Sequence, residues 1–149
     1  MRWITKKSVY ICQDKISNSI MRPANPFQLF LSFLSKHAWI AILWTLLILL
    51  ACSWPGKDIP EAPVTGFDKL VHAGLFAGFT VLWLLVYPQK AVTVILAGIA
   101  YGVAIEFYQE IMPLDRTFDL LDIVADSVGV FLGFGFKAIV LDRYLQRLY

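Results

Sequence analysis

Apolar runs free of charge divide this chain. Between Lys36 and Lys57 the sequence AWIAILWTLLILLACSWP holds no Asp, Glu, Lys or Arg, and a second clean run lies between Lys69 and Lys90. A membrane-spanning helix needs about 20 mostly apolar residues. The two runs therefore predict spans over Ala38–Trp54 and Asp68–Tyr87. After Lys90, AVTVILAGIAYGVAIEFYQ predicts a third over Ala91–Gln109, clean until Glu106. The last stretch, LLDIVADSVGVFLGFGFKAIVL, carries Asp122, Asp126 and Lys137. It still predicts a fourth span, Phe118–Leu141, because no other element could bury Val128–Phe136. Pro88-Gln89-Lys90 and a turn around Pro113 are short links, so consecutive spans run antiparallel. Pro55, Gly56, Pro60, Pro63 and Gly66 give the first loop its turn chemistry.

The expected fold class is an all-α integral membrane protein, a four-transmembrane-helix bundle over residues 38–141. Residues 1–37 hold Arg2, Lys6, Lys7, Lys15, Arg22 and Lys36 against the single acid Asp14. They read as a basic cytoplasmic tail ending in an amphipathic segment, Phe27–Leu34, that lies on the membrane. Residues 142–149 form a short second tail. Met21, followed by Arg22, offers an alternative start.

Composition agrees. The chain is 58% hydrophobic and 16% charged, with a mean hydropathy of +0.66. Soluble domains run near 45–50% apolar and 25% charged. A soluble monomeric enzyme and a nucleic-acid-binding or disordered chain are thereby excluded. The net charge of +2 hides an asymmetry. With the N-terminus inside, ten of the 13 Lys and Arg fall on the cytoplasmic side and three, Lys57, Lys69 and Arg116, outside. Basic residues prefer the cytoplasm, so both termini are expected there, in a bacterial cytoplasmic membrane. Nine of the eleven acids lie outside or in the outer ends of helices. Trp39, Trp54, Tyr87, Tyr108, Tyr144 and Tyr149 mark the interfaces. Cys12 and Cys52 fall on opposite sides, so no disulfide joins them. Leu49-Leu50-Ala51-Cys52 reads as the end of the first span rather than a lipoprotein cleavage box.

An ionisable group inside a span costs about 2.5–3.5 kcal/mol on insertion scales and marks a candidate functional site. His72, Glu106, Asp122 and Asp126 intrude in this way. Helical spacing extends the set. Asp68 and His72 are i, i+4 on the second span, and Glu106 and Gln109 are i, i+3 on the third. Asp119, Asp122 and Asp126 share a stripe on the fourth, with Arg116 in the loop above. The groups on the helices all lie one to two turns below the outer surface. The glycine pairs Gly74/Gly78, Gly98/Gly102 and Gly129/Gly133 put one small-xxx-small motif on each of these three helices, which lets backbones approach closely. The second to fourth spans are expected to form a packed trio, with the first as a lipid-facing brace.

Three ordered elements, DKLVHAGLFAGF, EFYQ and DRTFDLLDIVADSVGVFLG, resemble the VanZ-like family of teicoplanin-resistance proteins. Asp68, Lys69 and His72 match its first element, Glu106 and Gln109 its second, and Arg116, Asp119, Asp122 and Gly129 its third. Asp126 stands where the family usually has Asn. The motifs cover residues 38–141 and leave residues 1–37 without a counterpart. The resemblance implies a small multi-pass membrane protein with a link to glycopeptide susceptibility.

Two functional readings follow, and a third ranks behind them. The first is a site that binds or acts on a lipid-linked cell-envelope molecule. Its candidate catalytic groups are Asp68, His72, Glu106, Gln109, Arg116, Asp119, Asp122 and Asp126. His72 would be the acid or base, oriented by Asp68. Glu106 and Asp122 would hold a divalent cation, and Arg116 would grip phosphate. The second is a non-catalytic scaffold whose cluster fixes helix register, with Arg116 neutralising Asp119 and Asp122, and His72 neutralising Glu106. The third is a proton-coupled carrier, for which four helices are few and none carries a mid-membrane break.

Overall fold

The structure is a computed structural model and describes residues 25–55, 66–113 and 116–146. The basic tail before residue 25, Met21, Cys12 and loop residues 56–65 lie outside the described residues. Helices follow one another: α1 (Pro26–Lys36), α2 (Ala38–Cys52), α3 (Phe67–Val86), α4 (Ala91–Ile111) and α5 (Leu120–Phe136). A π-helical turn (Lys137–Leu141) and α6 (Asp142–Gln146) complete the described chain. The family of elements is all-α, as expected.

Local chemistry explains most of the boundaries. Asn25 opens α1 with a capping box: its side chain accepts the Phe27 N–H at 3.0 Å, and Gln28 Oε1 accepts the Asn25 N–H at 2.8 Å. The chain then turns at His37, and α1 and α2 meet at 76°. Gly66, at φ 82°, makes the left-handed entry to α3 that a Cβ would disfavour. Asp119 caps α5 by accepting the Leu121 N–H at 2.8 Å. That cap starts α5 two residues later than the expected Phe118. At the other end the helix runs on, through the π turn bridged by Lys137 and Asp142 at 3.0 Å, into what was expected to be a tail.

Among the described residues, three helical runs are long and apolar enough to cross a membrane: Phe67–Val86, Ala91–Ile111 and Leu120–Tyr144. The expected first span, Ala38–Trp54, is a helix only to Cys52. Its 15 residues reach about 22 Å, short of a hydrocarbon core of about 30 Å. The bent pair α1 and α2 supplies a fourth span if counted as one. Ser53 ends α2, its N–H and Oγ both turning back to the Leu49 carbonyl.

The core is a column of Ile48, Phe76, Phe79, Leu84, Ile105 and Val130. Its closest helix contact is α3 against α5. A Cβ added at Gly129 would strike the Ala73 carbonyl, and one at Gly133 the Ala77 carbonyl. The small-residue seam is thus Gly129/Gly133 against Ala73/Ala77. The expected pair Gly74/Gly78 does not form a seam: Gly74 faces open space, and Gly78 makes room for the Trp44 ring. Gly98 and Gly102 accommodate side chains of α5, Val130 and Asp126.

α2 is more than a brace. It turns Leu43, Leu46, Leu47 and Leu50 outward. Its other face is tied in by Trp44 Nε1 to the Leu75 carbonyl (2.9 Å), Trp83 Nε1 to Thr45 Oγ1 (3.1 Å) and Tyr101 OH to the Thr45 carbonyl (2.7 Å).

Candidate functional site

The ionisable residues within α3, α4 and α5 gather at one end of the bundle. Lys69 and His72 lie in the first two turns of α3, and Asp122 and Asp126 in the first two of α5. Glu106 and Gln109 lie in the last two turns of antiparallel α4. At 1.5 Å per residue, all sit within about 10 Å of their helix ends. His72, Glu106, Gln109, Asp122 and Asp126 are buried, Glu106 and Asp126 to 0% exposure.

Two ionic centres organise them. Lys69 Nζ donates to Asp119 Oδ2 and Asp122 Oδ1, both at 2.7 Å, and to Asp68 Oδ2 at 3.2 Å. His72 Nδ1 meets Asp126 Oδ1 at 3.0 Å. Asp126 itself lies in the slot left by Gly102, where a Cβ would stand 2.7 Å from Oδ2. The chain entering α5 is pinned to α4: Glu106 Oε2 accepts the Asp119 N–H at 2.9 Å, and Glu110 Oε2 the Phe118 N–H at 2.7 Å. Gln109 Nε2 donates to the Cys52 carbonyl at 2.9 Å, which fixes the end of α2 to α4. Lys69 and the Leu121 N–H together hold the Asp119 carboxyl below the usual carboxylate range.

The expected pairings are corrected at three points. Asp68 does not orient His72: it is exposed and bonded to Lys69, and Asp126 from the facing helix does the orienting. An i, i+4 spacing puts two residues on one face but cannot compete with a partner directly across a tight helix seam. Arg116 does not neutralise Asp119 and Asp122, a role that belongs to Lys69, and His72 is bonded to Asp126 rather than Glu106. Among the described residues Arg116 makes no ion pair, and its Nε is buried without a partner. Lys69 matches the first family element, yet it was counted only among the three outward bases and not among the candidate groups. Its i, i+3 relation to His72 was the available signal.

Three buried side-chain atoms have no hydrogen-bond partner among the described residues: Glu106 Oε1, Asp126 Oδ2 and Arg116 Nε. One ligand atom each from His72, Glu106 and Asp122 lies within 4.8 Å of the other two. Imidazole and carboxylate are the donor types that bind divalent cations.

An uncharacterized protein, C11E3.10, of Schizosaccharomyces pombe is 29% identical over 124 residues, covering 80% of this chain and 74% of the relative. No solved structure matches. The VanZ/LLP1 family model matches residues 4–141, taking in most of the N-terminal segment for which the motifs gave no counterpart. With its three apolar helices and their ordered polar elements, the chain belongs to the VanZ/LLP1 family.

Proposed function

We propose that this protein binds or processes the phosphate-bearing head group of a cell-envelope lipid, at a site open to the extracytoplasmic face of its membrane. The observation that carries the reading is the Arg116 Nε, buried with no partner among the described residues. Buried polar groups are satisfied in about nine cases in ten or more, so an unpartnered buried guanidinium nitrogen calls for an acceptor such as a phosphate oxygen. Arg116 supplies the guanidinium fork suited to phosphate, and the buried acids and His72 supply proton-transfer groups. A helix-end position puts them at the depth of lipid head groups.

The charge asymmetry supports the orientation. Lys36, Lys90 and Arg143 belong to the end away from the buried acids, which makes that end the cytoplasmic one under the positive-inside preference. In a bacterium this is the cytoplasmic membrane, with the envelope precursors targeted by glycopeptides on its far face.

The second reading is a structural network in a membrane scaffold. Lys69 favours it, since the ammonium is already spent on three carboxylates. Native mass spectrometry of protein taken from nanodiscs of mixed phosphatidylglycerol and phosphatidylcholine separates the two. The site reading expects wild type to retain phosphatidylglycerol and Arg116→Ala to lose that preference while keeping its Tm. Equal retention of both lipids by wild type, with His72→Ala and Glu106→Gln losing Tm, establishes the scaffold instead.

A further inference from the structure

We propose that His72, Glu106 and Asp122 form a binding site for one divalent transition-metal cation, with Asp126, Lys69 and the Asp119 amide as its supporting shell. The inference concerns the same cluster as the head-group reading but does not depend on it.

Each of the three residues is held by a neighbour through one polar atom, leaving another. His72 engages Asp126 through Nδ1, so the nitrogen left for a metal is Nε2. Glu106 is held through Oε2 by the Asp119 N–H, and its Oε1 is buried with no partner. Asp122 is held through Oδ1 by Lys69, which leaves Oδ2. Metal-ligating histidines usually donate their other ring N–H to a carboxylate, which fixes ring and tautomer. Asp126 stands where that carboxylate belongs, buried and confined by Gly102.

The geometry fits one ion. In a tetrahedral shell, ligand atoms at about 2.0–2.2 Å from a common metal stand about 3.3–3.6 Å apart. One ligand atom of each residue lies within 4.8 Å of the other two, so a bound ion would draw the three together by about 1 Å. Charge fits as well. Glu106, Asp122 and Asp126 bring three buried carboxylates, and Lys69 is the cation bonded among them. With His72 neutral, two negative charges remain uncompensated at a membrane-embedded site, and a divalent ion offsets them. An imidazole beside two carboxylates suits Mn²⁺ or Zn²⁺, whereas Mg²⁺ and Ca²⁺ prefer all-oxygen shells. Three protein ligands leave a coordination position open, as in sites that activate water or bind substrate rather than closed structural sites.

The test uses the full chain in detergent, with any affinity tag removed, stripped with EDTA and repleted. The expected result is about one Mn²⁺ or Zn²⁺ per chain by elemental analysis. A Tm rise of roughly 5 °C or more should accompany saturation, with Mg²⁺ and Ca²⁺ giving none. Glu106→Gln and Asp122→Asn should abolish the rise. Asp126→Asn, which keeps an acceptor for His72 Nδ1 at lower basicity, should weaken affinity about 10–100-fold without loss of fold. Absence of stoichiometric metal, a response to Mg²⁺ or Ca²⁺ alone, or unchanged binding in both Glu106→Gln and Asp122→Asn overturns the proposal. Lipid retention is read separately. Metal binding with no phosphatidylglycerol preference sustains this inference while removing the head-group reading, and the converse pattern removes only this one.

Discussion

Replacing Gly129 by Ala tests whether the α3–α5 seam sets the geometry of the polar cluster. The added Cβ would stand 2.8 Å from the Ala73 Cα and 2.9 Å from its carbonyl carbon, besides striking the carbonyl oxygen. Ordinary contact begins near 3.4 Å, so α3 and α5 must part by about 0.6 Å or more at that level. No flexible side chain can yield, because the obstacle is backbone. Over-packing of this kind costs about 1–3 kcal/mol. For a chain of this size that is a fall of roughly 3–10 °C in Tm. Gly74→Ala is the control: it makes the same chemical change on α3, where nothing lies within 4 Å. It should be neutral or slightly stabilising through the better helix propensity of Ala. Ala73 adjoins His72, and Gly129 lies three residues beyond Asp126, so the parting should also stretch the 3.0 Å bond between them. Thermal unfolding in detergent, followed by size-exclusion of the heated samples, reads the difference. If Gly129→Ala unfolds at the same temperature as Gly74→Ala, the close seam does not exist and the register of the cluster has another cause.

Three further outcomes follow from the same contacts. Lys69→Met should destabilise the chain by stranding Asp119 and Asp122, and Asp122→Asn should recover part of the loss. A double-mutant cycle on Tm should return a coupling of about 1–3 kcal/mol, and additivity would show the pair to be idle. Lowering pH should remove the Asp119 contribution. Its carboxyl is held below the usual range in the fold, so the stabilisation is full above the ordinary carboxylate pKa and fades as pH drops through the lower folded value. Asp119→Asn, which keeps the cap, should flatten that acid limb of a Tm-against-pH curve. Gly102→Ala changes no ionisable group but crowds Asp126 Oδ2, so its imidazole NMR signal from His72 should differ from wild type. An unchanged signal would detach Asp126 from His72.

The sequence made the helices legible because lipid demands long apolar runs, and such runs announce themselves. The four ionisable intrusions were legible for the same reason: His72, Glu106, Asp122 and Asp126 are conspicuous in apolar surroundings, and all four are buried together. The pairings were not legible. Helical periodicity orders residues within one helix, whereas the bonds of Lys69 and His72 run to another. Which residue lies opposite depends on rotation and axial offset, and a sequence encodes those only through packing. The glycine motifs show the same limit. Gly129/Gly133 finds its partner in Ala73/Ala77, one residue away from the glycines that the motif had singled out. The shortfall of α2 was hidden too, because an apolar run of 17 residues does not say that Ser53 will fold its hydroxyl and N–H back onto Leu49.

The seam and the charges depend on each other in one direction. Small residues on α5 and α3 allow backbone contact with no polar group involved, so the seam can form from packing alone. Contact at Ala73 and Gly129 then leaves the next turn toward the helix ends only enough room for His72 against Asp126 and Lys69 against Asp122. Their opposite characters make that crowding favourable, while two acids in the same places would repel. α4 joins from the side, with Gly102 as the slot that receives Asp126 and Glu106 as the acceptor for the chain entering α5. The order predicts unequal sensitivities. Seam substitutions should disturb both stability and the site, whereas Glu106→Gln preserves shape and one acceptor and should leave the helices assembled. A Glu106→Gln protein that failed to assemble would reverse the order, making the charges the cause of the seam.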